Sequence, residues 1–439
     1  MKLRLIFDIS PIGFTTEVTG ISRFTIEVLR RLINRNIFDI TLISPYCCEE
    51  DALRNYYNII GQKNIPFQSK EIEHYILPSK KRSNSLFGYM EEVVHNVIPE
   101  SNWLDSMIEN ARKIKRKIIP PNQATIDPTL KRQRFPLLEY LIRNSDAYFS
   151  PYYAMINEID VNPTIKKLQV IHDLTPILFP HLFSKNWSIE WVAWHNITPD
   201  MYVLTDSQCT KNDLLRHYPH ISENNVTTIS LGADEFFCPC TDRIKIESVL
   251  KKYGLSKNTN YILSVATLEI RKNFDHVIRS FAMFIEQYGD QFPNLNLVLT
   301  GKKGWLDKRI YTVYNRLTQK IKKRIIFTGY VDDTDLPFLY NGAVCFCYMS
   351  IYEGFGLPPL EAMQCGTPVI TSNTSSLPEV VGDAGIMLDP YNVEGLADAF
   401  MQVISNENLR QEMIAKGLEQ AKKFNWDDCV DLIVKKIIN

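Results

Sequence analysis

Residues Tyr352–Met363 read Y-E-G-F-G-L-P-P-L-E-A-M and directly follow a short apolar run. An apolar run of that length before a turn signal predicts a buried strand. Pro358 and Pro359 cannot stand inside a helix, but proline suits its first turn. The pattern therefore predicts a strand, a loop over Glu353–Gly356 and then a helix that carries Glu361 in its first turn.

The predicted loop has the residue types of an anion site. A glycine loop that opens a helix presents free backbone N–H groups at the positive end of the helix dipole, which suits a phosphate. Glu353 and Glu361 would flank that site. Because carboxylates repel phosphate, we expect them to bind vicinal hydroxyls instead. A plain glycine turn with solvated glutamates is the alternative, and the co-occurrence of two glutamates, two glycines and two prolines after a strand disfavours it.

The same order of strand and helix recurs along the chain, with helices predicted at Phe24–Ile33 and Phe274–Tyr288. The predicted strands are Leu3–Ile9, Phe38–Ser44, Lys167–Ile171, Met201–Thr205, Val226–Ser230, Tyr261–Val265, Leu295–Thr300, Ile325–Thr328, Val344–Tyr348, Thr367–Thr371 and Ala384–Leu388. Continuously apolar strands that alternate with helices are typical of buried parallel sheets. The fold class is therefore α/β, and a break over Phe236–Lys257 divides it into two doubly wound halves.

Length and composition limit the class of protein. The chain has 439 residues, enough for two or three domains. Lysine and arginine total 49 and aspartate and glutamate 50, for a formal net charge of −1, which argues against a dedicated nucleic-acid binder. No signal peptide or membrane-spanning run is visible. None of the nine cysteines forms a C-x-x-C pair, so we expect reduced thiols in a cytosolic protein, without a zinc site or disulfide framework.

Residues 60–135 interrupt the alternation and are rich in positive charge, with basic clusters at Lys80–Arg82, Arg112–Lys117 and Lys131–Arg134. A solvated helix face is one interpretation. Peripheral contact with an anionic membrane surface is the other, because Ile114, Ile118 and other apolar residues are interleaved with the charges.

Further chemistry is predicted where other strands end. Arg271 and Lys272 follow the first strand of the second half, where they would neutralise a diphosphate leaving group. In the first half, Gly20 lies in a turn before a helix, where glycine allows close approach of a ligand. His172 follows a strand and would face the cleft between the halves, because open parallel sheets bind ligands at the carboxyl ends of their strands.

Together these motifs resemble glycosyltransferase family 4, a family of retaining nucleotide-sugar transferases with the GT-B fold. The matching segments are Val170–Leu174, Leu204–Ser207, Thr267–Asn273, Gly329–Val331, Glu353–Glu361 and Phe424–Trp426. The resemblance implies two Rossmann-like doubly wound domains that face an interdomain cleft. We expect an acceptor-side domain at 1–240 with an insertion near 60–135, a donor-side domain at 241–420, and a C-terminal helix at 421–439 that crosses back to the first domain.

The resemblance also implies roles for single residues. Glu361 would bind the ribose hydroxyls of the donor and Glu353 its sugar hydroxyls. Lys272 would neutralise the phosphates and His172 would contact the sugar near the reacting carbon, so that Glu353, His172 and Lys272 form the expected catalytic set. The other expected donor contacts are the amides of Gly354, Phe355, Gly356 and Leu357, together with Gly20 over the diphosphate, Arg271, Val331 near the base, and Thr267, which stands where the family commonly has arginine.

Two motifs are given a structural interpretation. Asp333-Thr334-Asp335 spells the D-x-D that metal-dependent transferases use, but it lies where an aspartate would cap a helix, so we expect no metal. Trp187, Trp191 and Trp194 share a helix face, and an interior or interdomain stripe is preferred over a sugar-stacking surface.

The expected activity is transfer of a sugar from a nucleotide diphosphate donor to a glycan or lipid-linked glycan hydroxyl, with retention of configuration and without a cofactor. The Thr-Leu-Glu-x-Arg-Lys-Asn variant resembles bacterial mannosyltransferases of surface polysaccharide assembly, such as that of the lipopolysaccharide O-antigen, so GDP-mannose is the first-choice donor. UDP- and dTDP-sugars stay open. A sugar phosphorylase, a nucleotide-sugar hydrolase or epimerase, and a catalytically silent glycan-binding scaffold are the competing hypotheses.

Overall fold

The fold is described from a computed structural model. It describes residues 2–13, 20–43, 72–74, 140–155, 159, 162–182, 197–256, 259–304 and 308–439, with only the backbone for 72–74. The basic clusters near 60–135 and the stripe formed by Trp187, Trp191 and Trp194 lie outside the described residues. The cysteines that are described are free thiols.

The first lobe is built on a seven-stranded parallel sheet with the order β3-β2-β1-β4-β5-β6-β7. Its strands are β1 (Leu3–Asp8), β2 (Phe38–Ile43), β3 (Ile72–His74), β4 (Ala147–Ser150), β5 (Lys166–Ile171), β6 (Tyr202–Thr205) and β7 (Val226–Thr228). The central strands are buried on both faces, as expected for a sheet covered by helices on each side.

The second lobe contains a six-stranded parallel sheet with the order β10-β9-β8-β11-β12-β13. Its strands are β8 (Asn260–Val265), β9 (Leu295–Thr300), β10 (Ile325–Gly329), β11 (Cys345–Tyr348), β12 (Val369–Ser372) and β13 (Ile386–Leu388). In both lobes the chain runs outward from a central strand and then reverses to the other side, which is the doubly wound arrangement. The α/β prediction is confirmed.

Helices cover the sheets and link the lobes. They are α1 (Ser10–Gly13), α2 (Gly20–Arg35), α3 (Thr175–Leu178), α4 (Gln208–His217), α5 (Arg243–Lys252), α6 (Phe274–Tyr288), α7 (Lys308–Arg316), α8 (Gln319–Lys322), α9 (Leu336–Gly342), α10 (Leu357–Gln364), α11 (Leu377–Val381), α12 (Val393–Ser405), α13 (Glu407–Ala421) and α14 (Trp426–Ile438). Single 3-10 turns are present at Pro180–Leu182, Glu223–Asn225, Ile270–Lys272 and Gly382–Ala384.

The last helix, α14, lies against α2 of the first lobe. Ion pairs join Arg31 to Asp427 at 3.1 Å and Arg35 to Asp431 at 2.8 Å. On its buried face, Val430 and Ile433 belong to an apolar cluster that includes Phe7 of β1. The C-terminal end of the chain is thus part of the core of the first lobe.

Strands β3 and β4 are absent from the sequence predictions. In β4 the run A-Y-F-S is only four residues long, and all four are buried. A strand that short lacks enough residues to show a pattern, yet it lies between β1 and β5 in the middle of the sheet. Its strand state comes from pairing on both sides rather than from local preference.

Candidate active site

A cleft of about 820 Å³ lies between the two lobes. The carboxyl ends of β5, β8, β10 and β11 lead into segments that line it. Every residue predicted for the site lines this cleft: Gly20, His172, Thr267, Arg271, Lys272, Val331, Glu353, Gly354, Phe355, Gly356, Leu357 and Glu361. Lys272 and Gly354, between which the chain forms the helices α6 to α9 and the strands β9 to β11, thus face one cavity.

The glycine loop enters α10 through a conformation that suits glycine. Gly356 has φ +123°, a region that side chains rarely adopt, and it precedes the first helical residue, Leu357. The prediction that Glu361 lies in the first turn is wrong: Glu361 is the fifth residue of α10 and begins its second turn. The helix begins directly after the loop, at Leu357, because both prolines fit its first positions, where no N–H is needed.

Gly354 is required by contact between the lobes. A Cβ atom on Gly354 would lie 2.0 Å from the backbone oxygen of His172 in the first lobe. The Thr210 hydroxyl lies 3.3 Å from the carbonyl oxygen of Gly354, to which it donates a hydrogen bond. The loop is therefore held against the carboxyl end of β5, which narrows the cleft beside it.

Glu353 is enclosed by cations. Its carboxylate accepts hydrogen bonds from Lys272 Nζ at 2.6 Å, from the Arg271 guanidinium at 2.8 Å and from the Tyr348 hydroxyl at 2.9 Å. Arg271 also donates to Glu269 at 2.9 Å, so the cluster contains two cations and two carboxylates. Tyr348 lies on β11, and the other four residues follow β8 or β11, so strand ends converge on one ion cluster.

Burial and the neighbouring charges act in opposite directions on Glu353. Burial raises its pKa, but Arg271 and Lys272 outweigh this effect and lower the pKa of Glu353 to about 2. Burial and the like charge of Arg271 lower the pKa of Lys272. Glu353 is therefore ionised at neutral pH and can accept hydrogen bonds from hydroxyl groups.

Glu361 is paired across the cleft. Its two carboxylate oxygens accept from Arg23 of α2 at 2.5 Å and from the Tyr340 hydroxyl at 2.9 Å. The same guanidinium reaches Asp333 at 2.8 Å. Arg23 and Glu361 are both buried, with 7% and 4% of their surfaces exposed. One arginine of the first lobe thus joins two carboxylates of the second.

His172 is held through both ring nitrogens. Nδ1 lies 2.6 Å from an Asp206 oxygen and Nε2 lies 2.9 Å from the carbonyl oxygen of Pro151. Burial lowers the pKa of His172, but Asp206 and the other acceptors outweigh burial and raise it. With an acceptor at each nitrogen, the ring is suited to carry a positive charge at the wall of the cleft.

The other predicted residues, Gly20, Val331 and Thr267, differ in their surroundings. A Cβ atom on Gly20 would meet no atom within 4 Å among the described residues. Packing therefore does not require glycine at this position, and the open space beside it can admit a ligand. Val331 is buried after β10, and Thr267 follows β8 at the same edge of the sheet. Thr267 brings no charge to this edge, so positive charge there comes from Arg271 and Lys272, and Lys302 and Lys303 also line the cleft.

The capping interpretation of the D-x-D sequence is wrong in its details. Asp335 precedes α9 at the capping position, but its side chain makes no capping hydrogen bond. It accepts instead from Lys252 Nζ at 2.6 Å and from the Tyr253 hydroxyl at 2.7 Å on and beside α5. Asp333 pairs with Arg23, so the two aspartates point to different partners. Within the described part of the chain, no group of three or more His, Cys, Asp or Glu side chains is placed to hold a metal ion.

Four residues that line the cleft were not predicted to have a role in binding: Arg23, Asp206, Glu269 and Asp333. Tyr340, which is buried beside the cleft and donates to Glu361, was not predicted either. One local signal was available for Arg23. It is the fourth residue of α2, where a positive charge opposes the helix dipole, and such local conflicts often mark functional positions. Nothing local distinguishes Tyr340 from an ordinary core residue.

Comparison with known proteins agrees with the fold. Over the full length of both chains, the Anabaena protein HepE, solved in complex with UDP and glucose, superposes with a TM-score of 0.64 at 15% identity. A glycosyltransferase from Rickettsia africae gives 0.64 at 16% identity, covering 99% of this chain and 98% of that one. The architecture is thus the GT-B fold, with two Rossmann-like domains, as predicted.

Residues 245–420 match the family of glycosyl transferases group 1. The second lobe therefore belongs to this family, and the protein is a glycosyltransferase. The predicted resemblance is confirmed.

Among curated relatives, the O-antigen chain mannosyltransferase B of Escherichia coli is 28% identical over 97% of each chain. The serotype-specific mannosyltransferase WbdA of Escherichia coli is 29% identical over 68% of this chain, which spans only 36% of that longer protein. No helix among the described residues is long and apolar enough to cross a membrane.

Proposed function

We propose that the protein transfers mannose from GDP-mannose to a hydroxyl of a glycan acceptor, with retention of configuration, during assembly of an O-antigen or related surface polysaccharide. The observation that carries the proposal is the cluster of Glu353, Arg271 and Lys272 beside the first turn of α10. It supplies a carboxylate for sugar hydroxyls and two cations for a diphosphate, next to the backbone N–H groups of Gly354 to Leu357. The names of the two Escherichia coli relatives support mannose as the sugar.

The chemical step makes one main demand on the protein, which is to stabilise negative charge on the departing diphosphate. Lys272 and Arg271 meet that demand electrostatically in a cleft that the two lobes shield from water. Glu353 fixes the sugar hydroxyls, and His172, held by Asp206 and Pro151, faces the sugar from the other lobe. The acceptor hydroxyl attacks on the face that the diphosphate leaves, and a leaving phosphate oxygen takes its proton.

The ammonium group of Lys272 has one more N–H that can bind the diphosphate. An ammonium group has three N–H donors. Two of them point to Glu353 and to the Tyr348 hydroxyl, at 2.6 Å and 2.8 Å. The third is left for a phosphate oxygen. Because these fixed cations can take the role of a divalent ion, we propose that transfer needs no metal, and activity that survives chelation with EDTA is the expected result.

The donor can be identified by the stabilisation it gives. A ligand that binds only the folded chain raises the melting temperature by mass action. GDP-mannose and GDP should raise it more than UDP-, dTDP- and other nucleotide sugars at equal concentration. With GDP-mannose and an acceptor glycan, NMR of the product should show an α-mannoside, as retention requires for an α-linked donor. A larger shift with UDP, or a β-linked product, would contradict the proposal.

A UDP-sugar is the second candidate for the donor. The observation that favours it is the solved structure of the Anabaena protein HepE with UDP-glucose, which has the same fold over 99% of this chain and 98% of that one. Incubation with donor alone separates a transferase from a hydrolase or epimerase, because a transferase consumes donor slowly without acceptor. A silent glycan-binding scaffold would bind glycan but show no transfer with any donor.

The acceptor and the place of action form part of the same proposal. A lipid-linked glycan at the cytoplasmic face of the membrane is the acceptor that fits surface polysaccharide assembly. The basic clusters between Lys80 and Arg134 would contact anionic lipid heads peripherally. Co-sedimentation with vesicles that contain phosphatidylglycerol, but not with neutral vesicles, is the expected result.

A further inference from the structure

Arg23 occupies an unusual position at the end of the cleft where the nucleoside would lie. It extends from α2 of the first lobe to Glu361 at 2.5 Å and to Asp333 at 2.8 Å, both in the second lobe. Its Nε is buried without a hydrogen-bond partner among the described residues. The guanidinium carbon lies 5.8 Å from the centre of the Phe237 ring. A buried arginine with this setting holds two separate carboxylates in place by charge and geometry.

Glu361 depends on this contact for its ionised form. It is almost fully buried, and burial raises its pKa, while Arg23 and the Tyr340 hydroxyl act in the opposite direction. Asp333 is a second negative charge nearby and raises the pKa of Glu361 further. Without Arg23, two carboxylates would face each other in a poorly hydrated place, and the more buried one would take up a proton.

The groups that face this carboxylate come from several elements. Arg23 lies on α2, Tyr340 on α9 and Asp333 in the segment after β10. The thiol of Cys365 follows α10, Asp234 is a further negative charge near Arg23, and Tyr348 on β11 lies near Tyr340. Arg23 is the cation among them. The charge state of Glu361 therefore depends on one residue of the opposite lobe.

We propose that Arg23 is a positioning residue for the donor: from the first lobe it keeps Glu361 ionised and in place to accept hydrogen bonds from the two ribose hydroxyls. This inference rests on the proposed function, in which a nucleotide sugar fills the cleft. A protonated Glu361 has lost part of its capacity to accept, so it binds a diol less well. Recognition of the ribose then requires both lobes to be together, because the cation belongs to one and the carboxylate to the other.

The test uses the intact chain and compares GDP with its 2′,3′-dideoxy analogue by calorimetry across neutral pH. The wild-type chain should prefer GDP. Arg23→Met should lose most of that preference. Its affinity for GDP should fall about tenfold for each pH unit below the pKa of Glu361. Because the variant raises that pKa, the fall in affinity should begin at a higher pH than in wild type. Arg23→Lys keeps the charge and should restore the wild-type pH profile in part.

A second variant keeps the test valid if Arg23→Met misfolds, and it should shift the pH dependence of GDP affinity in the opposite direction. Asp333→Asn removes a negative charge that raises the pKa of Glu361, so its affinity should fall only at a lower pH than in wild type. The inference is overturned if the pH profiles of both variants coincide with that of wild type, or if Arg23→Met keeps the full preference for GDP. Either result would leave the proposed function standing. If the wild-type chain binds no nucleoside diphosphate, the proposed function and this inference fall together.

Discussion

At the scale of single residues, Glu353 combines deep burial with two adjacent cations. A carboxylate whose pKa is lowered on folding stabilises the folded state above its unfolded pKa and loses that contribution as the pH falls through the folded pKa. For Glu353 the folded pKa is about 2 and the unfolded value is about 4.3. The ion cluster therefore links the stability of the second lobe to pH in the acid range, in addition to its proposed role in binding sugar.

Glu353→Gln should lower the free energy of unfolding by about 3 kcal/mol at neutral pH. The difference from wild type should shrink as the pH falls from about 4.3 to about 2, because wild-type Glu353 then becomes neutral too. Urea titrations at several pH values measure both effects. Glu412→Gln is a matched control: this residue pairs with Lys416 at 2.9 Å on the exposed side of α13, and its loss should change stability by less than about 1 kcal/mol. A difference that stays constant with pH would contradict the ion-cluster assignment.

At the scale of elements, short polar contacts join the lobes beside the cleft. Glu379 of the second lobe accepts hydrogen bonds from the backbone N–H groups of Gln208 at 2.8 Å and Cys209 at 2.7 Å, the first two residues of α4. A carboxylate at the positive end of a helix satisfies N–H groups that have no partner inside the helix. The second lobe thus caps a helix of the first, which favours the closed arrangement.

Glu379→Ala should lower the free energy of unfolding by about 0.5–1 kcal/mol. It should also enlarge the radius of gyration of the unliganded chain in small-angle scattering, because the lobes lose a direct contact. Asn406→Ala is the matched control, since Asn406 caps α13 within the second lobe by accepting from the Leu409 N–H at 3.1 Å. That variant should lose similar stability with an unchanged radius. Equal radii for both variants would show that Glu379 does not help to hold the lobes together.

The loop before α10 supplies a second contact that can be tested by adding one methyl group. Gly354→Ala would place its Cβ 2.0 Å from the His172 backbone oxygen, so the lobes must separate or the loop must shift. We expect a folded protein by circular dichroism with at least about tenfold weaker nucleotide binding. Gly417→Ala, inside α13, is the control: its Cβ would lie at an ordinary 3.4 Å from Met363, and it should be neutral or stabilise by up to about 1 kcal/mol. Unaltered binding by Gly354→Ala would contradict the close approach.

At the scale of the whole molecule, the two lobes are not independent along the chain. The last helix, α14, follows the second lobe in sequence but packs in the core of the first. Ile433 is fully buried there, whereas Ile438 on the same helix is 54% exposed. Unfolding of the first lobe must therefore detach α14, the helix that follows the second lobe along the chain.

Ile433→Ala should lower the free energy of unfolding by about 2–5 kcal/mol, because it leaves a cavity in a packed core. Hydrogen exchange should accelerate in α2 and β1, on the first lobe, rather than in the strands of the second. Ile438→Ala should change stability by less than about 0.5 kcal/mol. Faster exchange confined to the second lobe would show that α14 contributes little to the first.

The local pattern along the chain was sufficient for the strands other than β3 and β4, for the α/β class and for the glycine loop, because each is visible in residues within about ten positions of one another. The same holds for the site residues that follow strand ends, since the carboxyl ends of parallel strands lie at one edge of a sheet. Tertiary structure alone determined the partners across the cleft. Arg23 and Glu361 are 338 positions apart, and neither residue type nor spacing indicates their contact. Their pairing depends on the packing of one lobe against the other, and packing over such a separation leaves no periodic trace in a single sequence.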